Sequence, residues 1–408
     1  MSKEFPKTGI PEENIRSELL KIRKSMKPYS ENAFRVYSTN PDPLAIEAIS
    51  YFLPFNKNNI GTHTRTGKTM GALADLEKEV ILMIGNLMGA KENEIDGYIT
   101  QGGTEGNITG LWIGRNMLRI NNSKLCLLKT TLTHYSVEKA ADLLNIEKVV
   151  DIPCNAEYGM DSVKLEKKIK SLSQEGYQNF LIALTLGYNT TGTVDPVDEI
   201  DSVIKRLEKD LKIKTYVHLD AAIGGLIYPF ISEKKFDFNN HSLNSLSTDL
   251  YKTGFTPRNS GVFLCRKNLQ KYIERFISYL PYKRDDTLSS SRSSNEAASC
   301  WSIIHFLGKE GFRRHILHCL DLKKYFISLL EEKKLPIKYI SDPFMPILAF
   351  TLKDKMLPLY LEKKHHIEPI PLLLDEREEY HYTIIFMPHI TKKSLSEFIT
   401  ELTEIYKN

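Results

Sequence analysis

Apolar residues alternate between helical spacing and short β-rich runs from about residue 73 to residue 266. In the first cycle, apolar side chains recur at helical spacing from Leu76 to Leu87, and the short strand Tyr98-Ile99-Thr100 follows. The pattern predicts further strands at residues 124–128, 149–152, 180–186, 215–219 and 262–264, and further helices at residues 107–118, 135–144 and 196–211. Strands that alternate with helices of this length predict a largely parallel sheet covered on both faces.

Beyond Arg266 the pattern changes to long helical stretches over residues 269–279 and 295–330, the second broken near Gly308 and Gly311. The tail has two predicted strands and a final helix, at residues 346–350, 382–386 and 393–406. We therefore predict three parts in the chain. They are a lead-in over residues 1–70 that packs on a partner subunit, a large α/β domain over residues 71–312 and a small α+β domain over residues 313–408.

Composition narrows the class of protein. The chain has 408 residues, of which 41% are hydrophobic, so it can bury a large core, and its formal net charge of +4 is spread rather than gathered into a stripe. This argues against nucleic acid as a partner. The longest apolar run, Val80 to Ile84, is too short to span a membrane, and the first residues lack an apolar signal core, so we expect a cytoplasmic protein. The five cysteines are odd in number and widely spaced, which indicates neither a disulfide framework nor a metal site.

Lys252 is the main candidate for chemistry. An amine attacks a carbonyl only when it is unprotonated, and burial favours that form, so a lysine of this kind can hold a carbonyl cofactor covalently. Asp220 ends a predicted strand and is followed by two alanines, and its carboxylate could face a pyridinium ring. The turn Gly102-Gly103-Thr104 lies between a strand and a helix, where backbone N–H groups favour one phosphate. A plain tight turn is the alternative for this glycine segment.

His134 follows another predicted strand and opens the next helix, so it would project from the carboxyl edge of the sheet. A planar imidazole there can stack on a cofactor ring, although a helix cap is the plainer interpretation. Lys252, Asp220, Gly103 and His134 are all predicted at this one edge. Their convergence indicates a cofactor site.

These residues resemble the pyridoxal-phosphate-dependent group II amino-acid decarboxylases of the aspartate-aminotransferase fold type (fold type I), most of all bacterial histidine decarboxylases and archaeal tyrosine/aspartate decarboxylases. The resemblance is carried by the segments Gly97-Tyr98-Ile99-Thr100-Gln101-Gly102-Gly103-Thr104-Glu105-Gly106-Asn107, Thr133-His134-Tyr135-Ser136, His218-Leu219-Asp220-Ala221-Ala222, Thr287-Leu288-Ser289-Ser290-Ser291-Arg292 and Met387-Pro388-His389. It implies an α/β fold with a mainly parallel central sheet and a small carboxyl-terminal α+β domain. It also implies pyridoxal 5'-phosphate as cofactor, an amino acid as substrate and a homodimer with shared active sites.

The resemblance assigns a role to each matched position. Lys252 would be the Schiff-base lysine, and Asp220 would keep the pyridine nitrogen protonated. The remaining implied roles are ring stacking by His134 with Ala222 on the opposite face, phosphate contact by Gly103, Thr104 and Thr248, contact with the partner's phosphate by Ser291, and return of a proton to the product carbon by Tyr279.

Three positions depart from the family pattern. Tyr251 stands where the family has histidine, Tyr188-Asn189 replaces a Thr-Thr pair, and Thr383 stands where the archaeal enzymes carry arginine. We expect His63, Arg65 and Asn189 to line the substrate pocket, with Arg65 compensating for the missing guanidinium. Two other functions stay open. They are a carbon–carbon lyase, because the segment around Lys252 also resembles sphingosine-phosphate lyases, and a degenerate module that binds the cofactor without turnover.

Overall fold

The computed structural model describes residues 8–62, 71–119, 124–234, 236–279, 284–353, 355–374 and 377–407. Its helices are α1 (Glu12–Ser25), α2 (Pro43–Phe52), α3 (Gly71–Leu87), α4 (Gly103–Leu118), α5 (Ser136–Leu143), α6 (Ser162–Gln174), α7 (Val197–Leu211), α8 (Tyr228–Ile231), α9 (Leu250–Thr253), α10 (Asn295–Glu332), α11 (Leu359–His365) and α12 (Lys392–Lys407). Its strands are β1 (Asn58–Ile60), β2 (Ile95–Thr100), β3 (Leu125–Lys129), β4 (Lys148–Asp151), β5 (Asn179–Thr185), β6 (Lys214–Asp220), β7 (Leu243–Asp249), β8 (Gly261–Arg266), β9 (Arg275–Phe276), β10 (Arg284–Asp285), β11 (Ser291–Ser293), β12 (Ile337–Ile340), β13 (Ile347–Leu352), β14 (Ile370–Leu374) and β15 (Arg377–Ile385).

Seven strands form the central sheet in the order β2-β8-β7-β6-β5-β3-β4. The five strands from β7 to β4 run parallel, and only β8 is antiparallel to its two neighbours. The prediction of a mainly parallel α/β sheet is therefore confirmed. Because the parallel strands β5, β6 and β7 end at Thr185, Asp220 and Asp249, these three side chains meet at one edge of the sheet.

Helices cover both faces of this sheet, as the side chains of β5 illustrate. Phe180, Ile182 and Leu184 pack into a core with α3, α6 and α7, whereas Leu181 and Ala183 pack into a second core with α4 and α5. Successive side chains of a strand point to opposite faces, so a strand buried on both faces is apolar at nearly every position. This explains the unbroken apolar run of β5.

The carboxyl-terminal part has its own antiparallel sheet, in the order β12-β13-β15-β14, and a third core that includes Phe326, Phe350 and Phe398. Helix α10 runs through the predicted domain boundary at residue 313 and deviates from helical geometry at Gly308, which has φ 55° and ψ −178°. The predicted break is therefore at Gly308, while Gly311 is helical. The exact division of the chain into domains stays a prediction.

The predicted helix over residues 269–279 is wrong. A short 3-10 helix covers Leu269–Tyr272, and β9 follows and pairs with β10. The pairing of Arg275 and Phe276 with residues 284–285 takes this part of the segment into a strand. Buried Ile273 and Ile277 produced the misleading apolar spacing.

The lead-in is partly helical and reaches the rest of the molecule. Helix α1 buries none of its residues, and Ile15, Leu19 and Ile22 are exposed on it. Packing of this segment on a partner subunit stays a prediction. In contrast, Phe34 belongs to the carboxyl-terminal core, and the following residues continue towards the edge of the central sheet. Within the described ranges, no helix combines the length and apolar character needed to cross a membrane.

Candidate active site

A cavity of about 330 Å³ lies at the carboxyl edge of the central sheet. Its wall includes most of the residues predicted for the cofactor site: Gly103, Thr104, His134, Asp220, Ala222 and Lys252. The strand ends and the amino terminus of α4 bring them together, because βα connections of a parallel sheet all leave at this edge. Asn189, predicted for the substrate, lies on the same wall.

Lys252 lies in the short helix α9, directly after β7. Its side chain is 19% exposed, and its Nζ lies 3.1 Å from Oδ2 of Asp249, whose side chain is 1% exposed. Burial raises the pKa of Asp249, an effect that the charge of Lys252 opposes. The lysine therefore reaches the cavity beside a carboxyl group that favours holding a proton.

The amino terminus of α4 forms the floor of an anion site. Gly102, with φ 142°, precedes the helix, and no side chain caps the first turn. The first N–H groups of a helix have no partner inside the helix, so they attract an anion. A Cβ built on Gly103 would lie 3.1 Å from both the Cβ of Ala222 and Oδ2 of Asp249. The absence of a side chain at residue 103 therefore lets the first turn of α4 lie close to Ala222 and Asp249.

Asp220 and His134 are held by Asn107, which is 1% exposed. Asn107 Nδ2 donates to Oδ2 of Asp220 at 2.7 Å and to Oγ of Ser136 at 2.9 Å, and Ser136 Oγ lies 2.8 Å from Nδ1 of His134. The other carboxylate oxygen of Asp220 accepts from the backbone N–H of Ala222 at 3.1 Å. Burial lowers the pKa of His134, which favours the neutral imidazole.

Tyr188 and Asn189, which stand where the family has a Thr-Thr pair, form another part of the cavity wall. The hydroxyl of Tyr188 donates to Oδ1 of Asp195 at 2.7 Å and lies 2.8 Å from Oγ1 of Thr130. Burial raises the pKa of Asp195 to about 6. The Tyr188 hydroxyl therefore has its hydrogen-bond partners within the protein. The hydroxyl of Tyr37, from the lead-in, donates to the backbone oxygen of Asn189 at 2.7 Å and fixes this wall.

Arg258 and Tyr251 lie together on the wall of the cavity. The guanidinium carbon of Arg258 lies 5.3 Å from the centre of the Tyr251 ring, and Nη2 of Arg258 donates to Oγ of Ser38 at 3.3 Å. Burial raises the pKa of Tyr251, so its phenol stays protonated. Arg258 forms no ion pair with the described carboxylates, and this leaves its charge available to a ligand.

Other predicted site residues lie elsewhere. Thr248 is fully buried, and its Oγ1 faces Gly225, because side chains alternate along β7 and its neighbours Ser247 and Asp249 face the cavity side. The structure therefore does not support phosphate contact by Thr248. Ser291 is exposed and accepts a hydrogen bond from Nδ2 of Asn58 at 3.0 Å, away from the wall of this cavity.

Tyr279 is 79% exposed and does not line the cavity. Its return of a proton to the product stays a prediction. His63 and Arg65 lie outside the described residues.

Several polar residues of the wall were not predicted from the sequence, among them Asn107, Asp249, Arg258, Tyr37 and Ser38. Asn107 and Asp249 belong to segments already singled out, and a charged residue six positions after Lys252 was a usable signal for Arg258. Tyr37 and Ser38 carried no such signal, because they come from a distant part of the chain.

The residues present fit pyridoxal phosphate. An amine, a carboxylate, an imidazole and an uncapped helix amino terminus share one cavity, and they match the aldehyde, pyridine nitrogen, ring face and phosphate of this cofactor. Oγ1 of Thr185, at the end of β5, is buried without a hydrogen-bond partner in the described part of the chain and also lines the cavity. The fold and the site together define a pyridoxal-phosphate enzyme.

Comparison with known proteins narrows this class. The model of the pyridoxal-dependent decarboxylase conserved domain matches residues 30–353, and the chain belongs to this family. Pyridoxal phosphate is therefore its cofactor, and amino-acid decarboxylation is the activity of its class.

Two curated relatives match most of the chain. The tryptophan decarboxylase of Clostridium sporogenes is 28% identical over 367 residues, which cover 86% of this chain and 84% of that protein. A probable L-tyrosine/L-aspartate decarboxylase of Methanosphaera stadtmanae is 29% identical over 376 residues, 89% of each. The predicted similarity to the archaeal enzymes is confirmed, and similarity to histidine decarboxylases stays a prediction.

Solved structures share the fold at low identity. L-methionine decarboxylase from Streptomyces sp.590 superposes with a TM-score of 0.83 at 17% identity, covering 98% of this chain and 96% of that chain. A sphingosine-1-phosphate lyase of Burkholderia pseudomallei has a TM-score of 0.78, also at 17% identity, covering 100% of this chain and 93% of that chain. These likenesses concern the fold alone.

Proposed function

We propose that the protein decarboxylates an L-amino acid with a histidine-, tyrosine- or aspartate-like side chain, with the cofactor bound covalently to Lys252. One observation carries the proposal: Nζ of Lys252 reaches the same cavity as the Asp220 carboxylate and the His134 imidazole. The names of the relatives from Clostridium and Methanosphaera support an amino acid of moderate to large size.

Each polar group of the cavity has a defined task in this proposal. Lys252 must lose a proton before it attacks an aldehyde, and Oδ2 of Asp249, 3.1 Å away, can accept it. Asp220 would hold a proton on the pyridine nitrogen of the cofactor, and His134 would stack on its ring. When bound, the protonated ring accepts the electron pair of the breaking bond between Cα and the carboxylate. The amino terminus of α4 holds the phosphate.

Arg258 is the residue that we propose for the substrate's carboxylate. Thr383 cannot take this role, because it is buried and its Oγ1 donates to the backbone oxygen of Thr190 at 2.7 Å. Arg258 lies on the cavity wall, carries a fixed charge and can donate two parallel hydrogen bonds to a carboxylate. Arg65 remains a further candidate from the sequence.

The proposed assembly is a homodimer. Ser291 is exposed at the molecular surface, and the apolar side chains of α1 lack cover within the described chain. A partner subunit would bury these apolar side chains and could receive the Ser291 segment at its own site.

The test begins with uptake of the cofactor. Purified protein supplied with pyridoxal phosphate is expected to gain a visible absorbance band, and Lys252→Ala is expected to lose it. Lys271→Ala, which changes an exposed lysine outside the cavity, is the matched control and should keep the band. A band that survives in Lys252→Ala would exclude this lysine as the covalent attachment.

Turnover is tested by a panel of L-amino acids, with release of carbon dioxide and of aldehyde measured in parallel. Carbon dioxide with the corresponding amine supports the proposal, whereas aldehyde without carbon dioxide would assign the lyase reaction. Uptake of cofactor without any turnover across the panel would assign the binding module. For an accepted substrate, Arg258→Ala should raise KM about 10- to 100-fold, the size of a lost charged hydrogen bond, and Arg258→Lys should restore part of it. An unchanged KM would exclude Arg258 as the carboxylate partner.

A further inference from the structure

Asn107 uses all the hydrogen-bonding capacity of its amide. Nδ2 donates to Asp220 and Ser136, and Oδ1 accepts from Oγ of Ser247 at 2.6 Å and faces Nε2 of His218 at 2.9 Å. A carboxamide offers two N–H groups and two lone pairs, so none is left over. The orientation is also fixed, since a reversed amide would place its oxygen against the Asp220 carboxylate.

The backbone of α4 allows this reach. A Cβ on Gly110 would lie 2.3 Å from Nδ1 of His218, and one on Gly106 would lie 2.5 Å from Cβ of Ser247. Glycine costs about 1 kcal/mol in a helix relative to alanine. The two glycines let α4 lie close enough to β6 and β7 for Asn107 to bond side chains of both strands.

The fixed amide sets the protons behind Asp220. Because Oδ1 of Asn107 is an acceptor, Nε2 of His218 must carry the proton, and Nδ1 of His218 then accepts from Oγ of Ser245 at 2.8 Å. Ser245 Oγ in turn accepts from the hydroxyl of Tyr216 at 2.9 Å. Burial lowers the pKa of His218 to about 4, so this ring is neutral. Each hydrogen bond in the series from Tyr216 through Ser245, His218 and Asn107 is therefore donated in the direction of Asp220.

The hydrogen bonds from Asn107 through Ser136 to His134 determine which ring nitrogen of His134 carries the proton. The hydroxyl of Ser136 accepts from Asn107 and so donates its only proton to Nδ1 of His134. The backbone N–H of Ser136 also donates to Nδ1, at 3.3 Å. Nδ1 is thus an acceptor from two donors, and the neutral ring carries its proton on Nε2. In the described part of the chain, no side chain or backbone group accepts from this Nε2.

We propose that Asn107 is a positioning residue for decarboxylation: its single amide orients the Asp220 carboxylate and, through Ser136, holds the proton of His134 on Nε2. The proposal rests on the proposed function for its effect on turnover. The orientation of Asp220 and the tautomer of His134 do not depend on the proposed function. Asp220 then meets the cofactor as an oriented anion, and His134 presents an N–H group to the cavity rather than a lone pair.

The tautomer of His134 can be measured without cofactor. In protein labelled with ¹⁵N at histidine, with His134→Gln used for assignment, we expect His134 to be neutral and protonated on Nε2 at neutral pH. Asn107→Asp should shift the ring towards the Nδ1–H form. The reason is that Ser136 must then give its proton to the new carboxylate. A ring already protonated on Nδ1 in the unchanged protein would overturn the proposal.

Turnover gives the second readout. Asn107→Asp keeps the shape of the side chain but replaces the N–H groups beside Asp220 with a second carboxyl group. We expect kcat to fall about 10- to 100-fold with little change in KM, the size of a lost hydrogen bond to a charged group. The pH–rate profile should gain an ionisation from the two adjacent carboxyl groups. Unchanged kcat and pH profile would also refute the proposal.

Two further variants separate positioning from folding. Asn116→Asp lies on the same helix, where Asn116 Nδ2 donates to the backbone oxygen of Tyr272 at 2.8 Å, and it should leave the His134 tautomer and the pH profile unchanged. Ser136→Ala cuts only the His134 branch and keeps the Asn107–Asp220 bond. It removes the shorter of the two donors to Nδ1 and leaves only the backbone N–H at 3.3 Å, so the Nε2–H fraction of His134 should fall even if Asn107→Asp does not fold. An unchanged Nε2–H fraction would count against the proposal. Failure of the unchanged protein to load cofactor would refute the proposed function but not the tautomer result.

Discussion

Acid should destabilise the folded protein through His218. In the folded state burial lowers the pKa of this ring from 6.5 to about 4, because it lies fully buried between Asn107 and Ser245. The unfolded chain therefore binds a proton at higher pH than the folded chain does. Stability from the neutral ring is fully present above about pH 6.5 and is lost as the pH falls towards 4.

The size of this effect follows from the two pKa values. Integrated from pH 7 to pH 5, the difference in proton binding is worth about 2 kcal/mol of unfolding free energy, and about 3 kcal/mol when the pH falls below 4. Asp195 acts in the opposite direction, since its pKa is raised to about 6 in the folded state. Its contribution cancels when a variant that keeps Asp195 is compared with the unchanged protein.

Urea unfolding at pH 7 and pH 5, followed by tryptophan fluorescence without cofactor, measures the contribution of His218 to the free energy of unfolding. His218→Gln cannot bind the proton, so its loss of unfolding free energy between the two pH values should be smaller than that of the unchanged protein by about 2 kcal/mol. His241→Gln, at an exposed histidine, should behave like the unchanged protein. Equal losses in the unchanged protein and His218→Gln would refute the argument from burial.

Two other substitutions test the packing that supports the site. Gly110→Ala should destabilise the protein by about 1–3 kcal/mol in thermal unfolding, because the clash with the His218 ring outweighs the helical preference for alanine. A more stable variant would show that α4 can move away from the sheet. Arg292→Met should cost about 3–5 kcal/mol, since it leaves the buried carboxylate of Glu77, now 2.6 Å from Nη1 of Arg292, without its cation. Lys267→Met, which breaks a partly exposed pair, should cost about 1 kcal/mol or less, and equal losses for both would contradict the burial argument.

The sheet and the position of the site could be predicted because each rests on a short-range pattern. An apolar run such as residues 180–186 defines a buried strand by itself, and parallel strands place their carboxyl ends at one edge. Asp220 and Lys252 could therefore be assigned to one edge of the sheet from the sequence. The direction of a side chain needs more than this. The resemblance implies a phosphate contact by Thr248, but alternation along β7 turns this side chain to the opposite face of the sheet.

Contacts between distant segments could not be predicted. Tyr37 reaches the cavity because Phe34, three residues earlier, is anchored in the carboxyl-terminal core, and no local pattern reveals that anchor. The role of Asn107 is of the same kind. Its four partners lie on α5, β6 and β7, so its importance depends on how closely three elements approach one another.

Tyr251 shows how a departure from the family pattern can leave the cofactor site intact. A histidine beside the lysine can supply both a donor and a positive charge, whereas the buried phenol of Tyr251 is a neutral donor, since its pKa is raised. The Tyr251 hydroxyl interacts with the Asp249 carboxyl group and lies 3.3 Å from a Cβ built on Gly102, and a positive charge is present nearby in Arg258, over the Tyr251 ring. In this arrangement donor and charge belong to separate side chains. In our proposal Arg258 acts towards the substrate's carboxylate, so we expect the substitution at position 251 to bear on substrate choice more than on cofactor binding.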